Sequence, residues 1–258
     1  MRDRLKALLL AFIVFFLFMT FPVNASFTWE NNITVGRDKV QWLYTETYAG
    51  VDSLIYKEYI DVSMGNSDGF ISAWEILKTD VNTRSALRNS IFEQMDVIVN
   101  GSSEYAVLTD VNSLMSPELL GPVMQIEVIQ NIYTTNYRVV YPFLGTGNSS
   151  VGFIGEKNTS MVINMPRETS VNSIEGIDNA SVSNDEEGVR IMGSFGPTGK
   201  ATVYFHLRGD EHITSLTPEV TEVNLSGGTQ IFEDKKYHDL PLAERIFPSL
   251  GICAHDST

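Results

Sequence analysis

The chain has a single cysteine, Cys253, four histidines and only 18 basic residues, and these shortages remove whole classes of chemistry. One cysteine forbids an intramolecular disulfide, so the fold must rest on a packed core. A free thiol in the C-terminal tail is the plainer reading of Cys253, and pairing between chains is the other. Of His206, His212, His238 and His255 only the first two are close in sequence, flanking Arg208-Gly209-Asp210-Glu211. No cysteine or matched acid completes a zinc spacing around them. Arg208-Gly209-Asp210 also matches a short adhesion tripeptide, although Gly and Asp favour turns in any protein. A Gly-x-Ser-x-Gly elbow, a His-Glu-x-x-His helix and a phosphate-binding glycine loop are all missing. With 32 acidic residues the net charge is −14, which repels nucleic acid and anionic lipid headgroups and attracts divalent cations.

Long apolar runs are scarce as well, and the one that exists lies at the amino end. A basic Met-Arg-Asp-Arg-Leu-Lys start precedes the apolar stretch Ala7 to Phe21, then Pro22 and the small-residue ending Val23-Asn24-Ala25. The pattern is that of a secretory signal cleaved after Ala25, or, left uncut, of a membrane anchor. In both cases the remainder is expected outside the cytoplasm, secreted or at the cell surface, with the membrane reached only through that uncleaved segment. About 230 residues then remain, enough for one or two domains with a real core. Beyond that segment six Asn-x-Ser/Thr sequons, at Asn32, Asn100, Asn148, Asn158, Asn179 and Asn224, mark candidate glycosylation sites of an exported chain.

Two patterns divide the rest. Tyr48, Val51, Leu54, Ile55, Tyr59 and Ile60 fall near one helical face, and Trp74, Ile76, Leu77, Val81, Leu87, Ile91, Phe92 and Met95 near another. Beyond them come short alternating runs rich in Val, Ile, Tyr, Phe and Thr, which predict strands near 106–108, 123–130, 133–141, 151–154, 160–165, 189–194, 201–207, 219–225 and 229–232. The stretch 166–187 predicts a strand followed by a polar loop. Turns at Gly145-Thr-Gly147, Gly155 to Asn158 and Gly196-Pro-Thr-Gly199 separate several of these runs. The expected fold class is α+β: a signal at 1–25, an N-terminal helix-loop-helix unit at 26–103, an antiparallel β-sandwich at 104–232 and an irregular tail at 233–258.

Between the two helical patterns lies Asp61-Val-Ser-Met-Gly-Asn66-Ser-Asp68-Gly69-Phe70-Ile71-Ser72-Ala-Trp-Glu75. A calcium loop places oxygen ligands at positions 1, 3 and 5, glycine at 6, a backbone carbonyl at 7, an oxygen or water at 9 and a bidentate Glu at 12. With Gly69 at position 6, Asn66, Asp68, the Phe70 carbonyl, Ser72 and Glu75 take positions 3, 5, 7, 9 and 12. Position 1 falls on Met64, which offers no side-chain oxygen. Either a backbone carbonyl serves there, or Gly65 lets an expanded loop bring back Asp61, the preferred first ligand. The stretch resembles the EF-hand family and is similar, more loosely, to variant loops of that type in secreted archaeal proteins.

That resemblance implies a calcium site made by Asp61, Asn66, Asp68, Phe70, Ser72 and Glu75, in an all-oxygen set that suits calcium better than zinc. An ordinary Asn-Ser-Asp-Gly turn explains residues 66–69 alone. The expectation is a non-enzymatic, exported calcium-binding protein whose loop clamps helices to a sandwich used for structure or for recognition of a surface protein or glycan. Two other readings stand beside it: a calcium-independent surface or adhesion module with a relic loop, and a carbohydrate-active enzyme. The acidic run Asp185-Glu186-Glu187 reads as a solvated loop, but the spatial separation of glycosidase carboxylates leaves no sequence signature.

Overall fold

A computed structural model describes residues 26–140 and 148–207. Strands β1 (Ser26–Val35) and β2 (Lys39–Ala49) come first, followed by helix α1 (Val51–Met64), the short strand β3 (Phe70–Ile71) and helix α2 (Ala73–Glu93). After them run β4 (Val97–Val99), β5 (Ala106–Leu114), β6 (Gly121–Pro122), β7 (Ile129–Val139) and β8 (Asn148–Ile154). The last elements are β9 (Ser160–Met165), β10 (Thr169–Glu175), β11 (Ile177–Asn184), β12 (Val189–Phe195) and β13 (Lys200–Leu207). They form a seven-stranded sheet in the order β11, β12, β9, β1, β2, β7, β5, a four-stranded sheet in the order β10, β13, β8, β4, and the β3 to β6 pair.

The expected N-terminal helix-loop-helix unit followed by a sandwich is therefore corrected. Strands account for 53% of the described residues and helices for 23%, so the protein is mostly β. Both helices exist, but they are inserted between strands of the sheets. β1 and β2 precede them and occupy the middle of the large sheet, paired from Ser26 with Ala49 to Val35 with Val40. Nor is that sheet wholly antiparallel, since β1 runs parallel to β9 from Glu30 with Ser160 to Thr34 with Asn164. The two early strands were obscured because their buried face carries Asn31 and Glu46 among the apolar residues, which blurs a period-two hydrophobic signal. β11 escaped for the opposite reason. Nearly all its residues are exposed, so no alternation marks it and the expected polar loop is an edge strand.

The expected signal at 1–25, the turn at 145–147, the strands near 219–225 and 229–232, the tail with Cys253, Asn224 and the 208–210 tripeptide all lie outside the described residues.

The buried face of the large sheet sets what packs on it. Trp42 stacks on Tyr44 at 4.9 Å and on Phe195 at 6.1 Å, and meets Phe153 of β8 edge-on at 5.5 Å, joining the two sheets. Farther along β2, Tyr48 stacks on Tyr56 of α1 at 4.3 Å, so a helix takes over as the cover. The polar groups in this interior are mostly matched. Asn31 accepts the indole N–H of both Trp29 and Trp42 at 3.2 Å and donates to Thr159 Oγ1 and the Ser160 carbonyl at 3.0 and 2.9 Å. It thereby ties β1 to β9 where their parallel pairing starts. Asp96 accepts the Tyr44 and Tyr137 hydroxyls at 2.6 and 2.8 Å. Burial raises its carboxyl to about 6, with the two phenols acting against the shift.

Glu46 is the acidic exception on the inner face of β2. It is fully buried, Tyr48 donates to its Oε2 at 3.3 Å, and neither its Oε1 nor the Tyr133 hydroxyl closes a well-formed hydrogen bond. Burial pushes its carboxyl up to about 8, against the opposing pull of Tyr133, Tyr48 and Asn131. The raised folded-state pKa means that the native chain holds a proton that the unfolded chain has lost. Stability contributed by the neutral acid is complete below the unfolded pKa near 4.5 and is lost as pH rises towards 8. Asp96 acts in the same sense but only up to about 6. Urea denaturation at pH 6, 7 and 8 should show stability falling by the order of 1 kcal/mol per pH unit. Glu46→Gln should flatten that slope; an equally steep fall in the variant would assign it to other groups.

Candidate functional site

The loop between α1 and α2 begins inside the last turn of α1. Asp61 stands there, only 5% exposed, on the same side as buried Tyr56, Lys57 and Ile60. Its carboxylate accepts the backbone N–H of Asp68 at 3.2 Å and of Gly69 at 2.9 Å, and its carbonyl accepts the N–H of Ser67 at 3.2 Å. One side chain on the helix thus gathers the far half of the loop. The chain turns through Ser67 and Gly69 with φ of 59° and 81°, a region that favours glycine at the second of these. Asn66 donates to Asp68 Oδ2 at 3.0 Å, and Asp68 Oδ1 accepts the Phe70 N–H at 3.0 Å.

The loop then meets a second piece of chain. Phe70 pairs with Pro122 and Ile71 with Gly121, and the Val123 N–H donates to the Gly69 carbonyl at 3.0 Å. Ile71 is fully buried by this arrangement, whereas Phe70 is half exposed. Ser72 starts α2 as its N-cap. Its N–H and Oγ both donate to Glu75 Oε2, at 2.6 and 2.9 Å, and the Glu75 N–H donates back to Ser72 Oγ at 3.4 Å. This reciprocal pair is a capping box, worth about 1 kcal/mol for the hydroxyl cap. Its Ser-x-x-Glu signature was present in the sequence and supplies a second, metal-free reason for both residues.

Glu75 is also only 5% exposed, and its other oxygen lies over Gly65, where no Cβ could fit. The structure brings Asp61, Asn66 and Asp68 into one hydrogen-bonded group and Ser72 with Glu75 into another. Among the described residues, no three His, Cys, Asp or Glu side chains converge as a metal cluster. The alternative first ligand, the Met64 carbonyl, accepts the Lys78 ammonium at 2.8 Å. Neither Asp61 nor Glu75 is among the carboxylates that form ion pairs in the described residues.

Other sequence candidates fall elsewhere. His206 lies in β13, and His212 is outside the described residues. Asp185 accepts the N–H of Glu187 and Gly188 at 2.8 and 3.0 Å, closing the β11 to β12 turn beside a cleft of about 410 Å³ that Asn164, Glu187 and Arg190 help to line. Asn32, Asn100, Asn148, Asn158 and Asn179 are all exposed. Three of them, Asn100, Asn158 and Asn179, hold φ of 50° to 60°, so left-handed turn geometry already accounts for asparagine at those places. Among the described residues no helix is long and apolar enough to cross a membrane. No protein-family model and no curated protein matches the chain.

The two loop glycines should respond differently to substitution. A methyl on Gly65 would overlap the Glu75 carboxylate and lie 2.6 Å from the Asp61 carbonyl oxygen. Gly65→Ala should therefore cost roughly 1 to 3 kcal/mol and loosen the cap of α2. At Gly69, with φ of 81°, the space that a Cβ would occupy is open, with nothing within 4 Å. Gly69→Asn should cost about 1 kcal/mol or less, since asparagine tolerates this conformation. Urea midpoints of the two variants give the comparison, and equal losses would contradict it.

Proposed function

We propose that residues 61–75 bind one calcium ion, and that the ion clamps α1 and α2 to the two-sheet body of an exported protein. The observation that carries this reading is the pair of carboxylates at the ends of the loop. Asp61 and Glu75 are each 5% exposed and neither belongs to an ion pair among the described residues. Burying a carboxylate at that depth is costly, hydrogen bonds from loop amides and the Ser72 hydroxyl offset part of the cost, and a divalent cation would offset more. Hydrogen bonding to the loop amides does not exhaust them, because a carboxylate has about four acceptor sites. Asp61 is preferred as first ligand over the Met64 carbonyl, which already faces the Lys78 ammonium. Asn66, Asp68, the Phe70 carbonyl, Ser72 and Glu75 complete the oxygen set, either directly or through water.

The surroundings suit a weak site. An exported protein meets calcium at high concentration, so a dissociation constant on the order of 10⁻⁴ to 10⁻³ M still gives occupancy. The role is structural, since the helix pair holds one such loop. The body to which it is clamped serves support or recognition of a surface protein or glycan.

One observation favours a calcium-independent module instead. The Ser72 to Glu75 capping box and the amides bound to Asp61 satisfy the same side chains without metal. Thermal melting separates the two readings. Calcium at tenfold excess over its dissociation constant should add about 1.4 kcal/mol of stability. Glu75→Gln should remove that increment, and calorimetry should show its binding heat disappear. If millimolar calcium leaves both the melting temperature and the titration heat of the wild-type protein unchanged, the calcium reading fails and the structural module stands.

A further inference from the structure

We infer that Lys57 is a positioning residue for the loop, acting through Glu127 and the segment that pairs with β3. Lys57 projects from α1 and is fully buried, with its ammonium 2.8 Å from Glu127 Oε2 and 3.3 Å from the Gln125 carbonyl. Burying a lysine is unfavourable unless its charge is met, so the two contacts bind that stretch of chain to the helix. Little else holds residues 123–128 in place. Val123 is buried, but Met124, Ile126 and Val128 are 80%, 49% and 61% exposed, and the stretch joins no sheet ladder. Burial of apolar surface therefore does not secure it.

This same stretch follows β6 directly, and β6 with Val123 holds the loop at Gly69, Phe70 and Ile71. The connections close a ring: α1 leads into the loop, the loop pairs with β6, and the chain after β6 returns to Lys57 on α1. Asp61 lies one helical turn beyond Lys57 and grips the amides of Asp68 and Gly69 from the other side. The loop is thus pulled from two directions by one helix. The hydrogen bonds of the Lys57 ammonium go to Glu127 and Gln125 and to none of the candidate ligands, so it acts on their geometry through the chain that continues from β6. Its effect on cation affinity rests on the calcium reading, whereas its effect on loop geometry does not.

Lys57→Met keeps the length of the side chain and removes the charge. Hydrogen exchange in the full-length protein should show the amides of Asp68, Gly69 and Val123 exchanging at least about tenfold faster, with the Trp42 amide in the middle of the large sheet unchanged. Calcium titration of the same variant should show about tenfold weaker binding, the loss typical when a residue supporting metal ligands is removed. Glu127→Gln should shift both measurements in the same direction by less, and it decides the matter if Lys57→Met does not fold. Unchanged loop protection in a folded variant, or acceleration spread equally over the Trp42 amide, overturns the positioning role. If wild-type protein shows no calcium heat, the cation reading fails on that result alone, and loop-selective exchange still decides the role of Lys57.

Discussion

Strand β2 imposes the constraint on which the layers depend, because it presents Val40, Trp42, Tyr44, Glu46 and Tyr48 to the interior from the middle of the large sheet. Three large aromatic rings and one carboxyl on a single strand face need covers of different kinds. The Trp42 end is closed by aromatic contact with Phe153 and Phe195. The Tyr48 end is closed by a helix, through its stack on Tyr56. Between them, partners for the hydroxyl and indole N–H groups must be supplied from elsewhere in the chain, since an unpartnered polar group costs a few kcal/mol in such a place. Asp96 supplies one set of partners and Asn31 another, and each is drawn from a different part of the chain.

The inserted helices follow from that need. Four strands do not cover seven, and α1 fills part of the remaining area by turning Tyr56 and Ile60 inward. α2 lies against β5 with a buried row that includes Thr79, Thr83, Leu87 and Ile91, and its Asp80 meets Ser113 on that strand. The loop joining the two helices is consequently a fixture of the body. It is pinned by Asp61 from α1, by Ser72 and Glu75 from α2, and by β6 from the chain ahead of β7. A cation bound there would tie three elements that already touch, which is a clamp's geometry more than a switch's.

Legibility varied with how local the cause was. The helices were readable in place but only partly in face: Ile60, Leu87 and Ile91 are buried as their spacing predicts, whereas Val51, Ile55, Trp74, Leu77, Val81 and Phe92 are exposed and Tyr48 belongs to β2. β9 was readable from its alternating Met161, Ile163 and Met165. β1 and β2 were not, because inward positions carry Asn31, which is met by Thr159 and Ser160 far along the chain, and Glu46, whose one well-formed bond comes from Tyr48 two residues away. In the loop, the spacing of Asn66, Asp68, Ser72 and Glu75 was plain in the sequence, but the pairing of Ile71 with Gly121 was not. That contact joins residues far apart in the chain, and a two-residue strand carries no pattern of its own.

By itself the sequence determined the local facts: the negative charge, the single cysteine, the position of two helices, the glycine-centred turn and the order of oxygen-bearing residues around it. Those depend on neighbours within a turn or two. Only the tertiary structure decided that the helices interrupt a sheet whose central strands come first, that β1 lies parallel to β9, and that a buried lysine on α1 reaches the segment paired with the loop. Such outcomes are set by which polar and aromatic groups can satisfy one another once water is excluded, and that matching operates between residues a hundred or more positions apart.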